Sequence, residues 1–367
     1  MNLPQAAELD IGRLSRIFDN KSDSYKLFWF QAVTDRVLEG CTEPSFEELI
    51  DNMIADAWYM VTEYHLNLGP SDTLEKAVKH LAKISGIKSS EKKDRVLKYI
   101  RECDDRELKS YKKTLALNVP YRLQAPFMDS MKGREWSRSA GNLIARINQE
   151  DSLIYYFAQY EQMNTRIRIR PEWADYIKVN GQIIKGWIEL NMITYLQKRN
   201  PSVPGIVDKL RPPQERKLDK VKKYWKLLIE TEEFHEIYGN NLLTSRDISI
   251  DHFVPWSYVA HDELWNLHPT TKSINSSKSN SLPEWDLYFE PLSSLEYASY
   301  RMMWQYPKIH SEFEKCAREH LNSQEVRGRL YGEGMDEPDF QNRLYEVISP
   351  VYKSAQSAGF ATWSYER

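Results

Sequence analysis

The sequence predicts a mainly α chain, a helical body that carries one small α+β insert. Three observations lead there. Gly (14) and Pro (17) are few for 367 residues, too few for an all-β chain built on tight turns. Segments with apolar residues at helical spacing, bounded by cap signals, fill most of the chain. One stretch, residues 247–283, departs from that pattern with β-branched alternation and two short strand signals. Apolar content of 41% and aromatic content of 12% supply an ample core.

Taken in order, Ser24 to Gly40 is apolar at helical spacing and stops on a glycine, the residue favoured just past a helix end. Ser45 and Glu48 form a capping-box pattern that opens a helix to about Tyr64. Ser71 to Ser85, Ser90 to Cys103 and Asp104 to Leu115 continue the helical series. Residues 118–140, with two prolines and a glycine, read as a connection, and 141–163 as helix. Thr165 to Arg170 alternates strictly, so a strand there sets Arg166, Arg168 and Arg170 on one face and Ile167 and Ile169 on the other. Such a row would match successive phosphates, or protect a sheet edge by charge. Gly181 to Arg199 is an amphipathic helix, and a further one is expected from about Pro213 to Phe234. Beyond the insert, Ser293 to Tyr306, Lys308 to Leu321 and Asp339 to Gln356 are helical, with a loop between Asn322 and Gly334. The expected organisation is an N-terminal helical domain (1–130), a basic helical region with a short strand (131–240), the insert (241–290) and a C-terminal helical region packed on it (291–367).

Charge is uneven. Residues 161–226 hold 15 Lys and Arg against 7 Asp and Glu, a net of +8 in a chain of net −3. Its densest run, Lys209 to Lys226, includes Lys217, Lys220 and Lys223 and reads as a polyanion-binding face or as a solvated helical surface, with Tyr224 and Trp225 as either stacking rings or core anchors. The three cysteines are far apart and form no CxxC pair, which argues against a structural zinc site and for reduced thiols. The opening residues lack a basic start and an apolar core, and no run of 18 apolar residues occurs, so a cytoplasmic location without a membrane span is expected. No GxxxxGK[ST] loop is present, so an ATP-driven step would need another chain.

The insert carries the chemistry. Ile248 to Val254 reads as a strand ended by Pro255, residues 256–265 as loop or short helix, Asn266 to Pro269 as a second strand, and Ser273 to Ser281 as a polar helix closed by Pro283. Asp251 and His252 stand together on the first strand, Asn266 opens the second, and Asn275 lies in the first turns of the helix. An acid can hold a hard cation, a His can deprotonate water, and amides can orient or ligate.

Asp251–His252, Val254–Pro255, Ser257, Asn266, Asn275, Lys278 and Pro283 together resemble an HNH nuclease motif, the ββα-metal unit, and within that family the HNH domain of the RNA-guided CRISPR effector nucleases. The resemblance covers about a tenth of the chain. The rest resembles neither the second nuclease domain nor the arginine-rich bridge helix of those effectors. It implies His252 as the general base, Asp251 and Asn275 as ligands of one Mg²⁺ or Mn²⁺ ion, Asn266 as the brace that keeps His252 aimed, and Lys278 on a phosphate or on a group behind the metal ligands. His268, two residues past Asn266, is the rival of Asn275 as ligand. The function implied is an endonuclease on DNA, with RNA as the other substrate, working in phage defence or restriction, at times beside an ATPase or sensor protein. A non-catalytic nucleic-acid-binding or partner-regulated protein is the competing reading.

Overall fold

The computed structural model describes residues 2–19, 22–117, 119–212 and 216–365. The chain is mainly helical, with three two-stranded sheets among the described residues. It divides into two compact units, residues 1–201 with 210–212, and residues 202–209 with 213–367.

In the first unit the main helices are α1 (Tyr25–Leu38), α2 (Phe46–Thr62), α3 (Thr73–Ser85), α4 (Lys93–Glu102) and α5 (Arg106–Ala116). Helix α2 starts on the capping box: Ser45 accepts from the Glu48 amide and Glu48 accepts from the Ser45 amide. Its inner side, with Leu49, Met53, Ile54 and Trp58, is fully buried. Helix α3 ends at Gly86, whose φ of 63° is the left-handed turn that a Cβ disfavours. The segment 141–163, expected as helix, splits: a helix covers Ala140–Ile147, and β1 covers Tyr155–Gln159. The residues Tyr155, Tyr156 and Phe157 are strong strand formers, and pairing with β2 (Arg166–Ile169) overrides the helical spacing. In β2 the arginines are exposed and Ile167 and Ile169 buried, as strict alternation requires. Helix α6 (Pro171–Arg199) starts ten residues before the expected Gly181, with non-helical torsions at Asn180. Proline at its first position costs no hydrogen bond, because that N–H lies outside the ladder.

The second unit holds α7 (Asp219–Thr231), β3 (Ser249–His252), β4 (Leu267–Thr270), α8 (Lys272–Lys278), α9 (Trp285–Gln305), α10 (Pro307–His320), α11 (Gln324–Tyr331) and α12 (Glu337–Ser357). Helix α7 begins later than expected, and residues 213–215 lie outside the described residues. Helix α11 replaces the expected loop, capped by Ser323 on the Val326 amide. Helix α9 begins eight residues before the expected start and runs through Pro291. Val221, Tyr224, Trp225 and Leu228 make the buried stripe of α7, at the i, i+3, i+4, i+7 spacing of one helix face. Tyr224 and Trp225 are therefore core residues. The Trp225 indole donates to the Leu267 carbonyl of β4 at 3.3 Å, which seats α7 against the small sheet. Strands β3 and β4 are antiparallel, with Asp251 opposite His268 and His252 opposite Leu267. A last pair, β5 (Leu282–Pro283) and β6 (Thr362–Trp363), runs parallel.

Candidate active site

The site is built on the strand–strand–helix run of the second unit. Asp251 and His252 are adjacent on β3, so their side chains leave opposite faces. Both are buried, 4% and 3% exposed.

Asp251 points into a dry polar nest. The Tyr238 hydroxyl donates to its Oδ2 at 2.8 Å, and the Lys278 ammonium lies 3.2 Å from Oδ1 and 3.1 Å from Oδ2. Burial alone would push this carboxyl up. The Lys278 charge, then His268 and the Tyr238 hydrogen bond, outweigh burial and hold it below the ordinary value. Tyr238 reaches Asp251 from a tight turn organised by Glu236, whose carboxylate accepts from the amides of Tyr238, Gly239 and Asn241. A Cβ at 239 would fall 2.7 Å from Asn241 Nδ2, 2.9 Å from Glu236 Oε1 and 2.9 Å from the Tyr365 ring, so the side chains of this turn would have to shift to admit one.

His252 is held at both nitrogens. Nε2 lies 2.8 Å from Asp262 Oδ1, and Nδ1 lies 3.2 Å from Arg216 Nη1. A guanidinium only donates, so Nδ1 is the acceptor and Nε2–H donates to Asp262. Burial pulls the imidazole below its ordinary value. The hydrogen bond to Asp262 works against that and the Arg216 charge adds to it, so the ring is neutral. Asp262 is aimed by the loop that carries it. The short helix Trp256–Val259 ends on Ala260 with φ 55°, a left-handed turn rare for a residue with a Cβ. His320, at the end of α10, donates from Nδ1 to the Asp262 carbonyl at 2.9 Å. Asn322 donates from its amide N–H and its side chain to the Glu263 carboxylate.

Asn266 is fully buried and bonds Val254 twice. Val254 N–H donates to Asn266 Oδ1, and Asn266 Nδ2 donates to the Val254 carbonyl, both at 2.8 Å. Val254 is two residues past His252, so this clamp fixes the exit of β3. Asn275 donates from Nδ2 to Ser249 Oγ at 2.8 Å and to the Ile250 carbonyl at 3.1 Å, tying α8 to β3. Lys278, one turn further along α8, is fully buried and also donates to the His252 carbonyl at 2.7 Å. It faces Asp251 and the backbone, not solvent where a phosphate would lie. His268 is fully buried, with its Nε2 3.7 Å from Asp251 Oδ2 and neither ring nitrogen hydrogen-bonded. Burial holds it down to about 4.

A carboxylate offers about four lone-pair positions, of which Tyr238 and Lys278 use part. Beside it stands His268, whose ring nitrogens have no hydrogen-bond partner, while Asn275 of α8 turns its amide to Ser249 and the Ile250 carbonyl. A carboxylate and an amide oxygen are the donor types a hard divalent cation takes, while in this enclosed nest the Lys278 ammonium already balances the Asp251 charge. Among the described residues no three His, Cys, Asp or Glu side chains converge on one metal position.

The basic residues expected on nucleic acid are largely engaged within the fold. In the first unit Arg166 donates to the Glu43 carbonyl, Arg168 pairs with the Glu43 carboxylate, and Arg170 donates to the Glu150 carbonyl. In the second unit Lys220 pairs with Glu319, and Lys223 with Glu312 at 3.0 Å, both acids on α10. Lys217 is exposed. Arg216, Tyr238 and Asp262 escape notice in the sequence because nothing in their spacing points at the motif. Arg216 lies in the basic run, and Asp262 is an acid in a loop, the only local signal each offers.

A strand–strand–helix unit carrying acid, His and amide side chains is the class of site that nucleases of the ββα kind use. A family model described as HNH endonuclease matches residues 235–284, a span that begins just before the Tyr238 turn and ends just past β5. The match supports a nuclease, a hydrolase that acts on phosphodiester bonds. It covers a small part of the chain and concerns the HNH family at large, not its RNA-guided members. No curated protein and no solved structure matches the chain. Among the described residues no helix is long and apolar enough to cross a membrane.

Proposed function

We propose that this chain is a metal-dependent HNH endonuclease that hydrolyses phosphodiester bonds in DNA with His252 as general base. The observation that carries the reading is the tautomer forced on His252. With Nε2–H given to Asp262, the lone pair sits on Nδ1, the nitrogen on the side of the exposed Arg216. A water placed there attacks phosphorus while its proton passes to Nδ1. The bond from phosphorus to the 3′ oxygen breaks, and that oxygen takes up a proton from solvent. Asp262 holds the ring and stabilises the imidazolium as it forms. Asn266 keeps β3 and its exit in register, so that the ring stays aimed. Asp251 and Asn275 would hold a Mg²⁺ or Mn²⁺ ion, with His268 as the alternative donor to Asn275. Such an ion, when bound, supplies stabilisation of negative charge on the phosphate and the leaving oxygen. Lys278 keeps Asp251 ionised in its dry surroundings.

For the nucleic acid itself, the exposed Lys217, and Lys220 and Lys223 once phosphates replace their carboxylate partners on α10, are the phosphate contacts of this reading; Arg166, Arg168 and Arg170 of the first unit are a separate candidate row. Phage defence or restriction in the cytoplasm, beside an ATPase or sensor partner, is the biological setting it proposes. Incubation of the purified chain with supercoiled plasmid and Mg²⁺ is the test. Nicked or linear product is expected, abolished by EDTA and lowered about 10²- to 10⁴-fold in His252→Ala, the range of general-base contributions. Product that is indifferent to both EDTA and His252→Ala, or no product at all, sinks the reading.

A further inference from the structure

The mechanism needs a free lone pair on His252 Nδ1, and in this structure that lone pair is taken. Arg216 Nη1 stands 3.2 Å from it, in the direction from which a water would be deprotonated. The guanidinium also lies over the Trp256 ring, 5.6 Å from the centroid. Arg216 is itself exposed, whereas His252 is buried, and the arginine is the group in contact with the Nδ1 side of the ring. A donor hydrogen-bonded to the lone pair prevents that nitrogen from accepting any other proton. The contact is weak for an ionic donor: the acceptor is a neutral imidazole, and a phosphate oxygen is a much better partner for a guanidinium, which matches it with two parallel bonds.

We propose that Arg216 is a substrate-displaced cap on the general base: it closes His252 Nδ1 in the free protein and moves to the phosphodiester when nucleic acid binds. Base and substrate are thereby coupled. Without a phosphate, Nδ1 has no access to water, and binding the backbone both fixes the phosphate and opens the base. Arg216 is thus a phosphate-binding residue in the bound state and a block in the free one. The inference rests on the nuclease reading above, and it deepens that reading by naming which group greets the substrate.

Two measurements on the full chain test it without relying on cleavage. In EDTA, binding of a short DNA duplex is followed by fluorescence anisotropy across a salt series. Arg216→Ala is expected to weaken binding about ten-fold and to reduce the salt slope by about one phosphate contact. Separately, the free chain is treated with diethyl pyrocarbonate, which acylates an unprotonated imidazole nitrogen, and the His252 peptide is followed by mass spectrometry. Arg216→Ala is expected to raise the rate at His252 on the order of ten-fold, because the uncapped fraction sets the apparent rate. Unchanged His252 reactivity overturns the cap. Unchanged duplex affinity and salt slope, in a chain that does bind duplex, overturn the transfer to phosphate. A wild-type chain that neither binds nor cuts nucleic acid overturns the underlying nuclease reading instead.

Discussion

At the scale of single residues, the pair His252–Asp262 carries the proposed mechanism. Asp262 accepts from Nε2–H, and Arg216 requires an acceptor at Nδ1, so one neutral tautomer satisfies both contacts. Asparagine at 262 keeps the shape and removes the charge, and its amide would equally donate to Nε2 and favour the other tautomer. Asp262→Asn is expected to lower the plasmid-cleavage kcat by about 10- to 100-fold, the usual cost of losing an orienting partner of a functional His, with KM near the wild-type value. Steady-state kinetics on a duplex substrate check this, and a changed KM with unchanged kcat contradicts it. Legibility was uneven at this scale. Asp251, His252, Asn266 and Asn275 stand out because their spacing along two strands and a helix is fixed by local geometry. Arg216, Tyr238 and Asp262 do not, because they reach the site through loops whose course depends on distant contacts such as His320 to the Asp262 carbonyl. Lys278 was visible, but its partner was not: spacing places it on α8, and only packing turns it inward onto Asp251.

At the scale of elements, α9 shows what the core tolerates. Glu296 is 4% exposed, and its Oε1 has no hydrogen-bond partner. Burial pushes this carboxyl well above the ordinary value, so it is protonated in the folded protein. Its folded pKa is raised. As pH climbs above about 4.5, the unfolded chain therefore gives up a proton that the folded chain keeps, and the fold loses stability up to the folded pKa. Glu296→Gln removes this term. The variant is expected to be more stable than wild type at pH 8, and to show a smaller advantage at pH 5, in urea unfolding followed by circular dichroism. An equal difference at the two pH values speaks against it. Elements were legible where a helix carries its own signals, as with the capping box at Ser45. They were misread where pairing decides. Residues 155–159 have helical spacing nearby and strand formers within, and the partner β2 settles the matter. The helix Gln324–Tyr331 was missed because its one-turn-scale amphipathicity is short and its support comes from contact with α12.

At the scale of the whole molecule, the chain has two compact units, and the Asp251 nest belongs entirely to the one formed by residues 202–209 and 213–367. A cation held there, as proposed, would stabilise the folded form of that unit by mass action, about 2.7 kcal/mol at a hundred-fold excess over Kd. Differential scanning calorimetry is expected to show Mg²⁺ raising the unfolding temperature of a transition, reversal by EDTA, and loss of the shift in Asp251→Asn. A shift that survives Asp251→Asn places the ion elsewhere. The sequence by itself determined the helical class and the strand–strand–helix order of residues 247–283, on which a motif resemblance singled out the acid, the His and the amides. Those are consequences of local periodicity, of cap and breaker residues, and of spacing along short elements. Tertiary structure alone decided which groups face one another: Tyr238 and Lys278 on Asp251, Asp262 and Arg216 on His252, and acids of α10 against lysines of α7. The physical reason is that a buried charge must find a partner. The fold supplies that partner from whatever segment packs alongside, at a distance in sequence that no local pattern records.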